Sequence, residues 1–155
     1  MKRTSVAHLN CSVAQALEVV GEWWTLLVVR NLMFDQRRFE AIQGDLGIAR
    51  NILSDRLGTL VEHGIVDRVK YQDHPERYEY RLTDKGRDLF PVIAALMAWG
   101  DKWAAPTGKP LELVHVCGKV ATATVVCDQC GAPLALHDVK AKAGPAWHRA
   151  ESSAT

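Results

Sequence analysis

Phe39-Glu-Ala-Ile-Gln-Gly-Asp-Leu46 and Ala49-Arg-Asn-Ile-Leu-Ser-Asp-Arg-Leu-Gly-Thr-Leu-Val-Glu-His63, closed by Gly47 and Gly64, read as two short helices. Ile65-Val-Asp-Arg-Val-Lys-Tyr71, the turn Gln72-Asp-His-Pro-Glu-Arg77 and Tyr78-Glu-Tyr-Arg-Leu82 then read as a β-hairpin. Helix, the tight junction Gly47-Ile48-Ala49, helix and hairpin, in that order, predict a helix-turn-helix with a β wing. That architecture serves mainly to read DNA.

The second helix carries the expectation. Leu53, Leu57, Leu60 and Val61 recur at helical spacing and make one apolar side that faces a core. Arg50, Asn51, Ser54, Asp55 and Gly58 fall on another side with no apolar anchor. Arginine forms bidentate pairs with guanine and asparagine with adenine, while serine adapts as donor or acceptor. A solvated face of an ordinary helix would look the same in isolation. The preceding helix, the junction and the hairpin decide for DNA.

In the hairpin, Tyr78, Tyr80 and Leu82 alternate with Glu79 and Arg81, and Pro75 excludes a central strand, so Asp73 to Arg77 form the tip. Arg77, with His74 and Lys70, is placed to reach phosphates or a minor groove beside the helix. Asp73 and Glu76 argue instead for a solvated, self-neutralised turn. With Arg38, just ahead of the first helix, the expected DNA-contacting set is Arg38, Arg50, Asn51, Ser54, Lys70, His74 and Arg77.

Arg37-Arg38-Phe39, Ile52-Leu53-Ser-Asp-Arg-Leu57, Leu60-Val-Glu-His-Gly-Ile-Val-Asp-Arg68 and Tyr78-Glu-Tyr-Arg-Leu-Thr-Asp-Lys-Gly86 resemble the HxlR-type winged-helix regulators. Cys11-Ser-Val-Ala and Gly21-Glu-Trp-Trp-Thr-Leu-Leu-Val-Val-Arg30 are similar to the opening of that family's domain. The resemblance spans about Cys11 to Trp103 and implies a dimeric bacterial transcription regulator. It also implies a redox role for Cys11, because some members use a cysteine there. A helix N-terminus lowers the pKa of an exposed thiol. Nothing else makes the site electropositive, which favours a small buried residue instead. Two positions depart from the family pattern: Ser12 stands where proline is usual, and Ala49 where a capping serine is common, so the second helix is expected to be weakly capped.

Charge does not single out a nucleic-acid binder. The chain carries 19 Lys and Arg against 18 Asp and Glu, net +1. From Arg37 to Arg87 there are ten basic and nine acidic residues, again +1. A basic surface must therefore come from segregation of charge. No apolar run reaches membrane-spanning length and the first residues lack a signal-peptide core, so a cytoplasmic protein with no membrane partner is expected. No phosphate-binding glycine loop, nucleophile elbow or His-x-Glu beside the cysteines is present, so no enzyme is expected.

Flanking the motif, Ser12 is expected to cap a helix with Val13, Ala16, Leu17 and Val20 on its apolar face, and Trp23 to Phe34 to form a buried spine. After the hairpin, Thr83-Asp84 should cap a long helix bearing Leu89, Phe90, Ile93, Leu96, Met97, Gly100 and Trp103, bent or restarted at Pro91. Trp23, Trp24, Trp99 and Trp103 exceed what one small domain needs. They point to a homodimer interface between first and last helices.

From Ala105 the composition changes. The expected organisation is a winged-helix and dimerisation domain over 1–104, a linker over 105–110, a small β-rich unit over 111–139 and a flexible tail over 140–155. Cys127-x-x-Cys130-Gly131 has the shape of a zinc knuckle, and His115-x-Cys117-Gly118 of a shortened second one. Together they offer His115, Cys117, Cys127 and Cys130 as ligands to zinc, the one candidate cofactor, with His137 as the alternative nitrogen. Free reduced thiols and a Cys127–Cys130 disulfide are the other readings. The fold class expected is mainly α with a small β wing (α+β), a winged helix-turn-helix with a small, β-rich, zinc-ribbon-like appendage. The function expected is a sequence-specific, homodimeric regulator of transcription on double-stranded DNA, responsive to a small-molecule effector or a redox signal. The alternative is a metal- or thiol-responsive sensing protein acting through its C-terminal cysteines.

Overall fold

The structure, a computed structural model, describes residues 4–147. Helices α1 (Ser12–Val20), α2 (Trp23–Met33), α3 (Phe39–Leu46) and α4 (Arg50–Glu62) precede the antiparallel hairpin of β1 (Val66–Gln72) and β2 (Arg77–Leu82). The short α5 (Asp84–Arg87), the long α6 (Phe90–Trp103) and two two-residue strands, β3 (Leu113–Val114) and β4 (Val120–Ala121), complete it. This is the winged helix-turn-helix that the sequence predicts, mainly helical with a small β wing. Among the described residues no single helix is long and apolar enough to cross a membrane.

The described residues through Asp88, with those from Ala143 onward, form one compact unit, and Leu89–Lys142 a second. In the first, α2 is the hub, packing on α1, α3, α4 and the second wing strand. Its Val28, Val29 and Leu32 are buried with Ile42 of α3, Leu53, Leu57 and Leu60 of α4, and Ile65 and Val66 entering β1. Each such side chain contributes about 1.5–3 kcal/mol on burial. That holds the α4 axis fixed and leaves its other side free. Val61, expected on the apolar face of α4, is 37% exposed.

Asn31 is buried in α2 yet satisfied: its amide donates to Gln36 Oε1 (2.9 Å) and Asp45 Oδ2 (2.8 Å), and its oxygen accepts from Arg30 Nε (3.0 Å). Because a buried amide without partners costs about 1–3 kcal/mol, this network fixes α3 on α2. The wing is anchored at its base by Thr83. Its hydroxyl bridges to the carbonyls of Gly64 (2.7 Å) and Ile65 (3.1 Å) and accepts from the Gly86 N–H (3.2 Å). A Cβ at Gly86 would collide with the Ile65 carbonyl and the Leu82 side chain. The Thr-Asp-Lys-Gly run is thus a packing motif that closes the wing.

Several expectations are corrected. Ser12 is the first residue of α1 rather than its cap, which is Cys11. The α1 face is only partly covered: Val20 is buried, but Val13 is 66% and Leu17 45% exposed, and the other buried residue of α1 is Ala14. Trp23 opens α2 at 86% exposure, so the buried spine begins at Thr25. The long helix capped by Thr83 is interrupted, and α6 restarts with Pro91 in its first turn, where a missing N–H costs nothing. The division between compact units falls at Leu89 rather than in the expected 105–110 linker. In the second unit Ala94, Met97 and Ala98 of α6 border the same small cavity as Leu111, Leu113 and Val120, so helix and hairpin belong together. The tail expected over 140–155 lies outside the described residues from residue 148 on. Within them, the Ala146 carbonyl accepts from Asn10 Nδ2 at 3.3 Å.

Candidate nucleic-acid interface

The wing strands pair Val66 with Leu82 through Lys70 with Tyr78, then shift register before Gln72 meets Arg77. The chain ahead of α3 joins them: the Tyr80 N–H donates to the Arg37 carbonyl (2.8 Å), and the backbone of Arg38 pairs with that of Glu79 in an isolated antiparallel β-bridge. This non-local pairing brings Arg38 beside the wing. A cleft of about 610 Å³ results, lined by Arg38, Phe39, Glu40 and Ala41 at the start of α3, Arg50 at the start of α4, and Arg68, Tyr71, Pro75, Glu76, Arg77, Tyr78 and Tyr80 of the wing.

Charge segregates here. Of the ten basic residues between Arg37 and Arg87, five are paired with carboxylates. Arg37 meets Asp35, Arg56 Asp55, Arg81 Glu79 and Arg87 Asp84, while Lys70 meets both Glu76 and Asp73. Among the described residues Arg38, Arg50, Arg68 and Arg77 have no carboxylate at ion-pair distance, and all four line the cleft. Three are held over aromatic rings: Arg38 over Tyr71 (4.9 Å), Arg50 over Phe39 (4.9 Å) and Arg68 over Tyr78 (3.7 Å). Such contacts contribute about 0.5–1 kcal/mol at exposed sites. Here they restrict guanidinium groups without neutralising them, which suits them to phosphate oxygens.

The second surface is α4 itself. Asn51, Ser54, Asp55, Gly58, Thr59 and Glu62 line a shallow open groove. Arg50, Asn51, Ser54 and Gly58 are exposed. Ala49 caps α4 without a side-chain hydrogen bond, as its small side chain predicts, and the first turn holds no acid. The positive end of the helix dipole is therefore uncompensated, a favourable place for an anion. A Cβ at Gly58 would meet nothing within 4 Å.

Of the expected contact residues, Arg38, Arg50 and Arg77 meet in the cleft, and Asn51 and Ser54 lie along the groove. Lys70 and His74 border neither. Lys70 Nζ is 2.7 Å from Glu76 Oε1 and 3.3 Å from Asp73 Oδ1, pairs that raise its pKa, the Glu76 contact most. The same contact, then a hydrogen bond from Tyr78 Oη, holds Glu76 below its ordinary value. Lys70 thus neutralises Glu76 at the mouth of the cleft. Arg68 was not in the expected set. Its signal was available: two residues from Lys70 on one strand, it shares a face with Tyr78 across the hairpin.

The cysteines are separated. Cys11 is exposed at the N-terminus of α1, which overturns its expected burial. Cys127 and Cys130 face each other across a turn, where the N–H groups of Gln129 and Cys130, then the Cys130 thiol, lower the Cys127 pKa. Cys117 lies on the β3–β4 turn, its N–H 3.4 Å from His115 Nδ1. Among the described residues no three His, Cys, Asp or Glu side chains gather as a metal-holding group, so the four expected ligands do not converge. His137 lies instead beside Asp138, at 3.3 Å.

The profile of the HxlR-like helix-turn-helix family matches residues 19–108. An HTH-type transcriptional regulator of Mycobacterium tuberculosis strain H37Rv is 48% identical over 138 residues, covering 88% of this chain and 87% of its own. The crystal structure of the transcription factor PA1607 superposes with a TM-score of 0.79 at 39% identity, covering 90% of this chain and 99% of that one. The redox regulator HypR, in its oxidized form, matches with a TM-score of 0.53 and 32% identity over 61% of this chain and 99% of its own.

Proposed function

Since the chain belongs to the HxlR-like helix-turn-helix family of DNA-binding transcription regulators, we propose that it acts as a homodimer that reads a specific sequence and is tuned by a redox signal at Cys11. The observation that carries the DNA reading is the convergence of Arg38, Arg50, Arg68 and Arg77, none with a carboxylate at ion-pair distance among the described residues, on the cleft at the start of α4. In this reading they grip phosphates, and α4 enters the major groove with Asn51 and Ser54 toward base edges. The exposed Val13, Leu17 and Trp23, and separately Leu96, Trp99 and Trp103 on α6, supply apolar surface for a second copy. Two such copies present their recognition helices roughly 34–36 Å apart, one turn of DNA. A regulator working in this way resides with the chromosome in the cytoplasm.

The redox element rests on an exposed thiol at a helix N-terminus and on the likeness to HypR, a redox regulator. A small-molecule effector is the other signal the family reading admits. The test is to select bound fragments from a random duplex pool, then measure affinity for the enriched sequence with and without a thiol oxidant. A two-fold symmetric motif, bound at least about tenfold more weakly by oxidised parent than by oxidised Cys11→Ser, supports the reading. Failure to enrich any motif overturns sequence-specific recognition, and identical behaviour of parent and Cys11→Ser overturns the redox element alone.

A further inference from the structure

The described segment from Ala105 to Trp147 lacks an interior of its own. None of its residues is buried, and only Ala105, Leu113, Cys127 and Ala135 are half-buried. Val116 is 98% and Leu136 91% exposed. A piece of chain this short cannot bury enough apolar surface to offset its conformational entropy, and such modules are usually stapled by a metal or by disulfides.

Its backbone is nonetheless shaped into two similar turns. In the first, the His115 N–H donates to the Lys119 carbonyl (2.9 Å) and the Gly118 N–H returns to the His115 carbonyl (2.8 Å), at the end of the β3–β4 ladder. In the second, the Cys127 N–H donates to the Ala132 carbonyl (2.8 Å) and the Gly131 N–H returns to the Cys127 carbonyl (2.7 Å), beside a Val126–Pro133 bridge. Each turn places two soft or borderline donors two or three residues apart and ends in a glycine directly after the cysteine, Gly118 at φ 80° and Gly131 at φ 72°. The positive φ turns the chain sharply back directly after each donor pair. That is the form in which a protein presents a bidentate half-site.

We propose that His115, Cys117, Cys127 and Cys130 bind one thiophilic divalent cation of the zinc class, and that this ion joins the two turns and organises residues 111–139. Among the described residues no three of these donors gather as a ready-made group, so binding and ordering are one event, and the ion supplies the cohesion that no core supplies. Three sulfurs and one imidazole nitrogen form a tetrahedral zinc set. A Cys127–Cys130 disulfide would close only its own four-residue bend and leave the His115–Gly118 turn unconnected, so it does not explain why both turns exist. His115 is assigned over His137 because it shares its turn with Cys117, whose N–H already orients the ring.

The experiment uses the full chain purified under reducing conditions, loaded with Zn²⁺ or Co²⁺ and freed of excess ion. Elemental analysis should give about one ion per chain, for the parent and for Cys11→Ser alike. Cobalt-loaded protein should show the tetrahedral d–d bands and thiolate charge-transfer absorption. Cys127→Ser and Cys130→Ser should bring stoichiometry close to zero. Cys117→Ser and His115→Ala should weaken binding by more than about tenfold, the loss that even an outer-shell partner can produce. Hydrogen exchange should slow on zinc loading over 111–139 and stay unchanged in α2 and α4, which shows that every variant compared has kept its fold. A parent that takes up no cobalt, a stoichiometry that survives Cys127→Ser, or one that falls with Cys11→Ser overturns the proposal.

Discussion

On the proposed reading, individual side chains divide into those that read bases and those that grip phosphates. Arg50→Ala and Asn51→Ala should each weaken binding to the cognate duplex by roughly 1–3 kcal/mol and relax preference at one base pair. Arg77→Ala and Arg68→Ala should weaken binding to every sequence alike, each lowering the salt slope by about one. Equilibrium titrations at several salt concentrations separate the two kinds. Gly58 sets the two demands on α4 against each other, since open space surrounds the position where a Cβ would stand. Gly58→Ala should raise unfolding free energy by about 0.5–1 kcal/mol through helix propensity. It should also lower DNA affinity, because the added methyl stands in the groove with Asn51 and Ser54. Arg50, Asn51 and Ser54 were legible in the sequence because a helical face follows from spacing alone. Arg68 was readable from the strand face that it shares with Lys70 and Tyr78, whereas Cys11 was obscured by the lack of any sequence marker for exposure.

Within the elements, the wing and its base account for most of what local pattern could and could not say. The limits of α3 follow from Gly47, and those of β2 nearly so from alternation, because both depend on near neighbours. The pairing of Arg37 and Arg38 with β2 joins residues some forty positions apart, and no periodicity announces it. The ion pairs that silence Lys70 are likewise a product of hairpin register. Glu76→Gln should loosen Lys70, which Asp73 still holds at 3.3 Å, and so modestly strengthen binding to non-cognate duplex and steepen its salt dependence, as read by anisotropy titration. Because Glu76 titrates below its ordinary value of 4.5 in the folded chain, the tether is fully present at neutral pH and is lost as pH falls through that lowered value. The Gln72–Arg77 tip should therefore loosen in acid before α4 does, which residue-resolved NMR titration would detect. At the base, Gly86→Ala forces Ile65 and Leu82 to move and should cost about 1–3 kcal/mol in a denaturant melt. An unchanged midpoint would mean that the wing base yields freely.

Across the whole molecule, the apolar side chains left outside decide its assembly. Trp103 is 67% and Val13 66% exposed. If a second copy covers them, Trp103→Asp or Val13→Asp buries an unpaired charge there and should shift sedimentation toward monomer while the helical circular dichroism stays unchanged. A parent that sediments as monomer at micromolar concentration removes the dimer. The sequence marked α6 as apolar, but spacing could not tell which side faces an interior. Nor could it foresee that the chain divides at Leu89, since that depends on packing between α6 and residues beyond Lys109. The concentration of unpaired arginines into one cleft, on a chain whose net charge is only +1, also governs how a target would be found. At physiological ionic strength such a local field fades within about 8 Å, so the molecule is drawn to DNA only after it has nearly arrived. Its sojourns on unrelated sequence should be brief and its one-dimensional sliding short, so that the time to locate an operator scales with copy number more than with long-range attraction.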